Sequence, residues 1–182
     1  MPVPILPELI LRGATRDYPI AVLFSSGVEA TAPGERELLR HVLPPWQRDE
    51  VWEPHRKRAF IEGIFLGLGT GYYVANGMEW EGAGAKPMAG WLIDGQQRLT
   101  ALRDFVVGDL AIFEGVRFAD LDEATRRRRF MNVVFPCIEL PYTDDEHLLR
   151  RLYERLNFGG VAHTRADMER LRATEPLRPR ER

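Results

Sequence analysis

Two rhythms of apolar residues run along the 182-residue chain, and they predict different elements. Phe60, Ile64 and Leu68 repeat at helical spacing with Ile61 and Phe65 beside them, which predicts a helix with one buried face and Pro54 in its first turn. Gly67, Gly69 and Gly71 end it, and Tyr72-Tyr73-Val74 begins a strand. Leu148, Leu152 and Leu156, flanked by Leu149 and Tyr153, predict a second such helix. Thr143 with Glu146 would cap its start, and Asn157-Phe158-Gly159-Gly160 its end, where paired glycines permit positive φ. The second rhythm is the unbroken apolar run. Trp91-Leu92-Ile93 and the segment 133–140 read as strands buried on both faces. Behind the first run come Asp94-Gly95 and then Leu99, Leu102, Phe105 and Val106, again at helical spacing, up to Gly108.

The remaining segments carry weaker patterns. A strand is expected at 20–24 and a short helix at 35–42. Pro44 and Pro45 force extended backbone before Trp46. The Gly-rich stretch 76–90 reads as a hairpin tip or a loop, and 110–116 as a strand or turn. Asp120-Leu121-Asp122-Glu123 opens another helix, and Thr164 with Asp167 caps a last one. Helices and short strands alternate without regular βαβ repetition, so the expected class is α+β: a small mixed sheet with several flanking helices. The expected division is an extension over 1–34, one domain over 35–175 and a frayed tail over 176–182.

Composition narrows the function classes. With 45% hydrophobic residues the chain can build a core. A net charge of −2 gives no global attraction to nucleic acid, which leaves only a local basic face to consider. The four-arginine run 126–129 is such a face, read either as a solvated helix surface or as a phosphate-contacting patch. The single Cys137 lies in an apolar run and reads as a core thiol. No basic leader precedes an apolar stretch at the start, and no run approaches membrane-spanning length; a soluble cytoplasmic protein is expected.

The candidate chemistry centres on the turn after the run 91–93. A strand–turn–helix unit leaves backbone N–H groups free at the helix start, which suit an anion. Gly95 lets a phosphate approach the main chain, and Arg98 in the first turn offers a planar fork of donors. The competing reading is local: Asp94 and Gln97 have the spacing of a capping box that only closes the helix end.

The segment Asp94-Gly95-Gln96-Gln97-Arg98-Leu99-Thr100 resembles the signature of the GmrSD-type restriction endonuclease N-terminal domain. Two further segments resemble that family in the same order: Pro45-Trp46-Gln47-Arg48 with Val51-Trp52 before it, and Leu156-Asn157-Phe158-Gly159-Gly160 with His163-Thr164 after it. The resemblance covers roughly 40–170 and implies a ParB/sulfiredoxin-like fold. It also implies nucleoside triphosphate binding and hydrolysis with Mg²⁺, by charge neutralisation and positioning. Asp94 is then the candidate for metal coordination or water activation, with Gln97 and Arg98 as its catalytic companions. Gln47, Arg48, Gly95, Gln96, Arg98, Thr100, Asn157, Gly159 and Gly160 are the candidate nucleotide contacts. Asn157 also fits a helix C-cap, and Trp46 and Trp52 fit core or lid packing as well as base stacking.

Full-length members of that family usually add a C-terminal His-Asn-His nuclease domain. This sequence has no Cys-x-x-Cys pair and no histidine cluster at metal spacing. DNA cleavage is therefore not expected from this chain alone. The expectation is a stand-alone, phage or mobile-element form in the setting of phage defence, or half of a split system with a separate nuclease subunit. Its form Asn157-Phe158-Gly159-Gly160-Val161-Ala162-His163-Thr164 fits a divergent subgroup. Two other readings stay open: a nucleotide- or DNA-binding regulator without turnover, and a ParB-like nuclease using Asp94 and a metal.

Overall fold

Residues 9–157 are described by the computed structural model, a mixed α+β arrangement around a four-stranded sheet. The sheet holds β1 (Ala14–Pro19), β8 (Val134–Glu139), β4 (Tyr73–Ala75) and β7 (Leu92–Asp94), in that spatial order. β8 runs antiparallel to β1 and parallel to β4, and β4 runs antiparallel to β7. Two small hairpins flank it: β2 (Arg36–Leu38) with β3 (His41–Leu43), and β5 (Trp80–Glu81) with β6 (Gly84–Ala85).

Side chains alternate across a strand, and here each face meets its own core. Tyr73, Leu92, Phe135 and Cys137 face a large cluster built with α2 (Pro54–Phe65) and α3 (Gln96–Val107). Val74, Ile93 and Leu140 face a second cluster with Trp46, Trp91 and α5 (Glu146–Asn157). Both faces being covered explains why 91–93 reads as an unbroken apolar run. Leu99, Leu102 and Phe105 of α3 are fully buried, each burial contributing about 1.5–3 kcal/mol. Phe105 and Phe130 meet edge to face at 5.2 Å between centroids, and Phe65 stacks on Phe130 at 5.6 Å.

Several local expectations need correction. Residues 20–23 form a one-turn helix, α1 (Ile20–Leu23), and the strand lies just before it in β1. The helix expected at 35–42 is the β2–β3 hairpin, turned by Leu39 at φ 55°. α5 buries Leu149, Leu152 and Tyr153 with Leu156 packed against them, so within the expected 148/152/156 stripe only Leu148 gives way, to Leu149. Its cap is Asp145, whose Oδ1 accepts from the Leu148 N–H at 3.0 Å, while Thr143 Oγ1 accepts from the Asp145 N–H. The segment 110–116 matches the strand or turn expected there: it is a 3₁₀ turn, Phe113–Gly115, closed by an Ile112–Val116 bridge. The cap expected at Thr164 lies outside the described residues. Cys137 is a buried thiol, pushed up to about 11 by that burial.

Two members of the arginine run have structural partners. The run spans the end of α4 (Glu123–Arg126), whose cap is Asp122, and a π-helical turn, Arg127–Met131. Arg126 donates to the Phe118 and Ala119 carbonyls and lies over the Phe118 ring. Arg129 donates to the Phe65 carbonyl at 2.7 Å. Two of the four guanidiniums thus satisfy main-chain carbonyls and anchor the turn.

A buried ion pair joins α2 to α3. Lys57 Nζ donates to Asp104 Oδ2 at 2.7 Å and to Glu50 Oε1 at 3.2 Å, and Arg103 donates to Asp104 Oδ1. Burial pulls the Lys57 ammonium down, and the carboxylates of Asp104 and Glu50 outweigh it and hold it above the ordinary lysine range.

His41 is sealed in β3, edge to face with Tyr73 at 5.4 Å. Its Nδ1 lies 3.1 Å from the Gly90 carbonyl, which can only accept, so Nδ1 carries the proton of the neutral ring. Burial lowers its pKa to about 4. The ordinary histidine value is 6.5, so the unfolded chain takes up the proton first. Stability from this residue is fully present above pH 6.5 and is lost as pH falls toward 4, by about 3 kcal/mol. Urea denaturation at neutral and mildly acidic pH should show that loss in the native chain and a smaller one in His41→Phe.

Candidate functional site

The end of β7 turns into α3 through Gly95, at φ 107° and ψ 0°. A Cβ at this position would lie 2.5 Å from the Tyr73 Cβ, so only glycine lets the turn press against β4. The helix that follows has no side-chain cap. The first-turn amides of Gln96, Gln97 and Arg98 therefore point outward without an intrahelical acceptor. The capping box does not form, because each of its members is engaged elsewhere. Asp94 Oδ2 accepts from Arg98 at 2.8 Å, one turn along. Gln97 Oε1 accepts from the Val51 and Trp52 N–H groups, both at 2.9 Å.

Gln97 thereby fastens a second segment to the turn. Residues 44–53 carry Gln47 and Arg48 and are also held by Arg36, which donates to the Gln47 carbonyl and Asp49 Oδ1, each at 2.7 Å. The Lys57–Glu50 contact adds a third attachment. The third segment arrives on α5, whose last residues bring Tyr153 and Asn157 alongside.

These three segments line one cleft of about 130 Å³, formed by Gln47, Arg48, Trp52, Asp94, Gly95, Gln96, Gln97, Arg98, Tyr153 and Asn157. Of the residues expected to contact a ligand, Gln47, Arg48, Gly95, Gln96, Arg98 and Asn157 meet there, with Asp94 and Gln97. Thr100 does not; it is buried at 2% exposure on α3 and is absent from the lining. Gly159, Gly160 and His163 lie outside the described residues. Trp46 is a core residue, edge to face with Trp91 and Tyr153. Trp52 packs on Phe60 at 5.9 Å and forms one wall of the cleft. Asn157 donates to the Tyr153 carbonyl at 2.9 Å, so it closes its helix while facing the cleft. Tyr153 and Arg36 are the additions that sequence reasoning missed. The sequence pattern gives Tyr153 only as a neighbour of the apolar stripe on α5, and nothing in the pattern around Arg36 marks it as a clamp.

The cleft concentrates unmet hydrogen-bonding capacity. Gln47 Oε1, Gln97 Nε2 and Arg98 Nε are buried without a partner among the described residues. Such atoms are uncommon in folded proteins and mark places where a ligand or water completes the structure. Asp94 is the only carboxylate among the described lining residues. Among the described residues, no group of three or more His, Cys, Asp or Glu side chains is arranged to hold a metal ion. Mg²⁺ commonly takes one or two carboxylates and completes its shell with substrate phosphates and water, so Asp94 fits that limited role.

An α+β domain that gathers a strand–glycine–helix turn, two arginines and orphaned amides into one cleft has the layout of an anion-binding module. The chain belongs to the GmrSD restriction endonuclease N-terminal domain family, whose sequence model matches residues 34–133. It is thereby related to restriction endonucleases. No curated protein and no solved structure matches it. No helix among the described residues is long and apolar enough to cross a membrane.

Two substitutions test the architecture. Gly95→Ala meets both the positive φ and the Tyr73 contact and should cost about 2–4 kcal/mol in chemical denaturation. Gln97→Met strips the acceptor from two main-chain N–H groups and should cost about 1–2 kcal/mol, while Gln97→Glu, which keeps an acceptor, should cost less in the same measurement.

Proposed function

We propose that the cleft binds a nucleoside triphosphate, with the phosphates at the start of α3 between Arg98 and Arg48. The observation that carries this reading is the clustering of donors with unmet capacity: Arg98 Nε, Gln97 Nε2 and the first-turn amides all border one cleft. Helix N-termini carry partial positive charge, and a guanidinium meets phosphate oxygens through parallel N–H bonds. The ParB-like likeness belongs to this proposal, since its support is the sequence of the turn. Mg²⁺ would be held by Asp94 together with ligand phosphates, neutralising charge on them.

Hydrolysis is the further step, and the side chains constrain it. Gln97 Oε1 is occupied by two amides, which leaves Gln97 as a donor to the ligand. Asp94 is then the group available to accept a proton from water, and its pairing with Arg98 must yield for it to do so. That engagement favours a second reading, in which the nucleotide is bound as a signal and turned over slowly or not at all.

Melting temperature should rise with at least one of the four nucleoside triphosphates in the presence of Mg²⁺, because a ligand selective for the native state stabilises it by mass action. Arg98→Ala should abolish that rise and leave the unliganded melting temperature within a few degrees, roughly the effect of losing one partly exposed ion pair. Phosphate release by the native chain separates turnover from binding. Unchanged nucleotide affinity in Arg98→Ala, read by calorimetry, rejects the proposal.

A further inference from the structure

Gln47 is 2% exposed, and it is the most deeply buried polar side chain lining the cleft. Its backbone is fixed on both sides: its N–H donates to the Pro44 carbonyl at 3.1 Å, and its own carbonyl accepts from Arg36 at 2.7 Å. Its side-chain Oε1 meets no donor among the described residues. The other orphaned atoms, Gln97 Nε2 and Arg98 Nε, are donors and ask for an acceptor. Gln47 asks for the opposite. A phosphate oxygen at neutral pH only accepts, so a ligand made of phosphates alone satisfies α3 and Arg98 and leaves the Gln47 carbonyl buried and unpaired.

We propose that Gln47 is the specificity determinant of the cleft: its Oε1 accepts a hydrogen bond from a neutral O–H or N–H on the nucleoside part of the ligand. This rests on the nucleotide reading above. The donor is a ribose hydroxyl or an exocyclic amine of the base. Gln47 thus governs which nucleotide is held, and the start of α3 governs whether phosphate is held. A site built around a buried acceptor rejects analogues that lack the matching donor, because the acceptor is then left unpaired.

Titration calorimetry on the full chain tests this with inorganic tripolyphosphate, the preferred ribonucleoside triphosphate, its 2′-deoxy and 2′,3′-dideoxy forms, and its analogue lacking the exocyclic amine. The analogue missing the recognised donor should bind at least about tenfold more weakly than its parent. Loss confined to the deoxy or dideoxy forms assigns the donor to the ribose; loss confined to the amine-free form assigns it to the base. In Gln47→Met that preference should shrink to less than about threefold. Gln47→Glu keeps an acceptor and should retain the preference even where overall affinity falls, which also covers a Gln47→Met chain that fails to melt cooperatively. The proposal is overturned if every analogue binds the native chain equally, or if Gln47→Met keeps the full preference. Tripolyphosphate binding in either case leaves the phosphate reading standing; if neither tripolyphosphate nor any nucleotide binds, both fall together.

Discussion

The close approach of Gly95 to Tyr73 is the constraint from which the cleft follows. With φ at 107° and no room for a Cβ, the chain leaves β7 and enters α3 within a single residue. That abruptness puts the start of α3 directly at the end of a buried strand. It keeps Asp94 and Arg98 one helical turn apart and on speaking terms at 2.8 Å. A longer or looser turn would move the first-turn amides away from Gln47 and Asn157, and the common cleft would open into separate surfaces.

Around this turn the structure relies on main-chain anchoring. The segment 44–53 has no regular secondary structure of its own, yet Arg36, Gln97 and Lys57 tie it to three different elements. Loops that carry functional side chains need such support from a rigid scaffold. Here Arg36 and Gln97 reach a main-chain carbonyl and main-chain amides, and Lys57 reaches the Glu50 carboxylate. The aromatic cluster of Phe65, Phe105, Phe118 and Phe130 fixes α3 from beneath. The two faces of the sheet thereby hold the three cleft-forming segments in register.

What the sequence revealed depended on how strongly burial imprints a period. α2, α3 and α5 each pack one face and were legible, as were β7, covered on both faces, and β8, which buries Phe135 and Cys137 on one face and leaves Val134 exposed on the other. β1 was not, because its residues Ala14 to Asp17 are exposed and show no alternation. The β2–β3 hairpin was misread because its two-residue turn uses Leu39 and Arg40 in place of the glycine or asparagine that signal such turns. The motif at 94–98 was legible as a turn, and its spacing also suggested a cap. Only the fold could decide between them, since the partners of Gln97 lie forty-five and forty-six residues away in sequence. Thr100 sits within the motif but one turn deeper on α3, where the helix has already entered the core.

The Gln97 contact has a consequence for how relatives of this chain can diverge. It grips peptide N–H groups, which every residue except proline supplies, and so it is blind to the side chains at 51 and 52. Substitution at 51 or 52, short of proline, leaves the tether itself intact, whatever it does to the packing of Trp52 on Phe60. A search for correlated substitutions would therefore pass over a contact that holds the two halves of the cleft together.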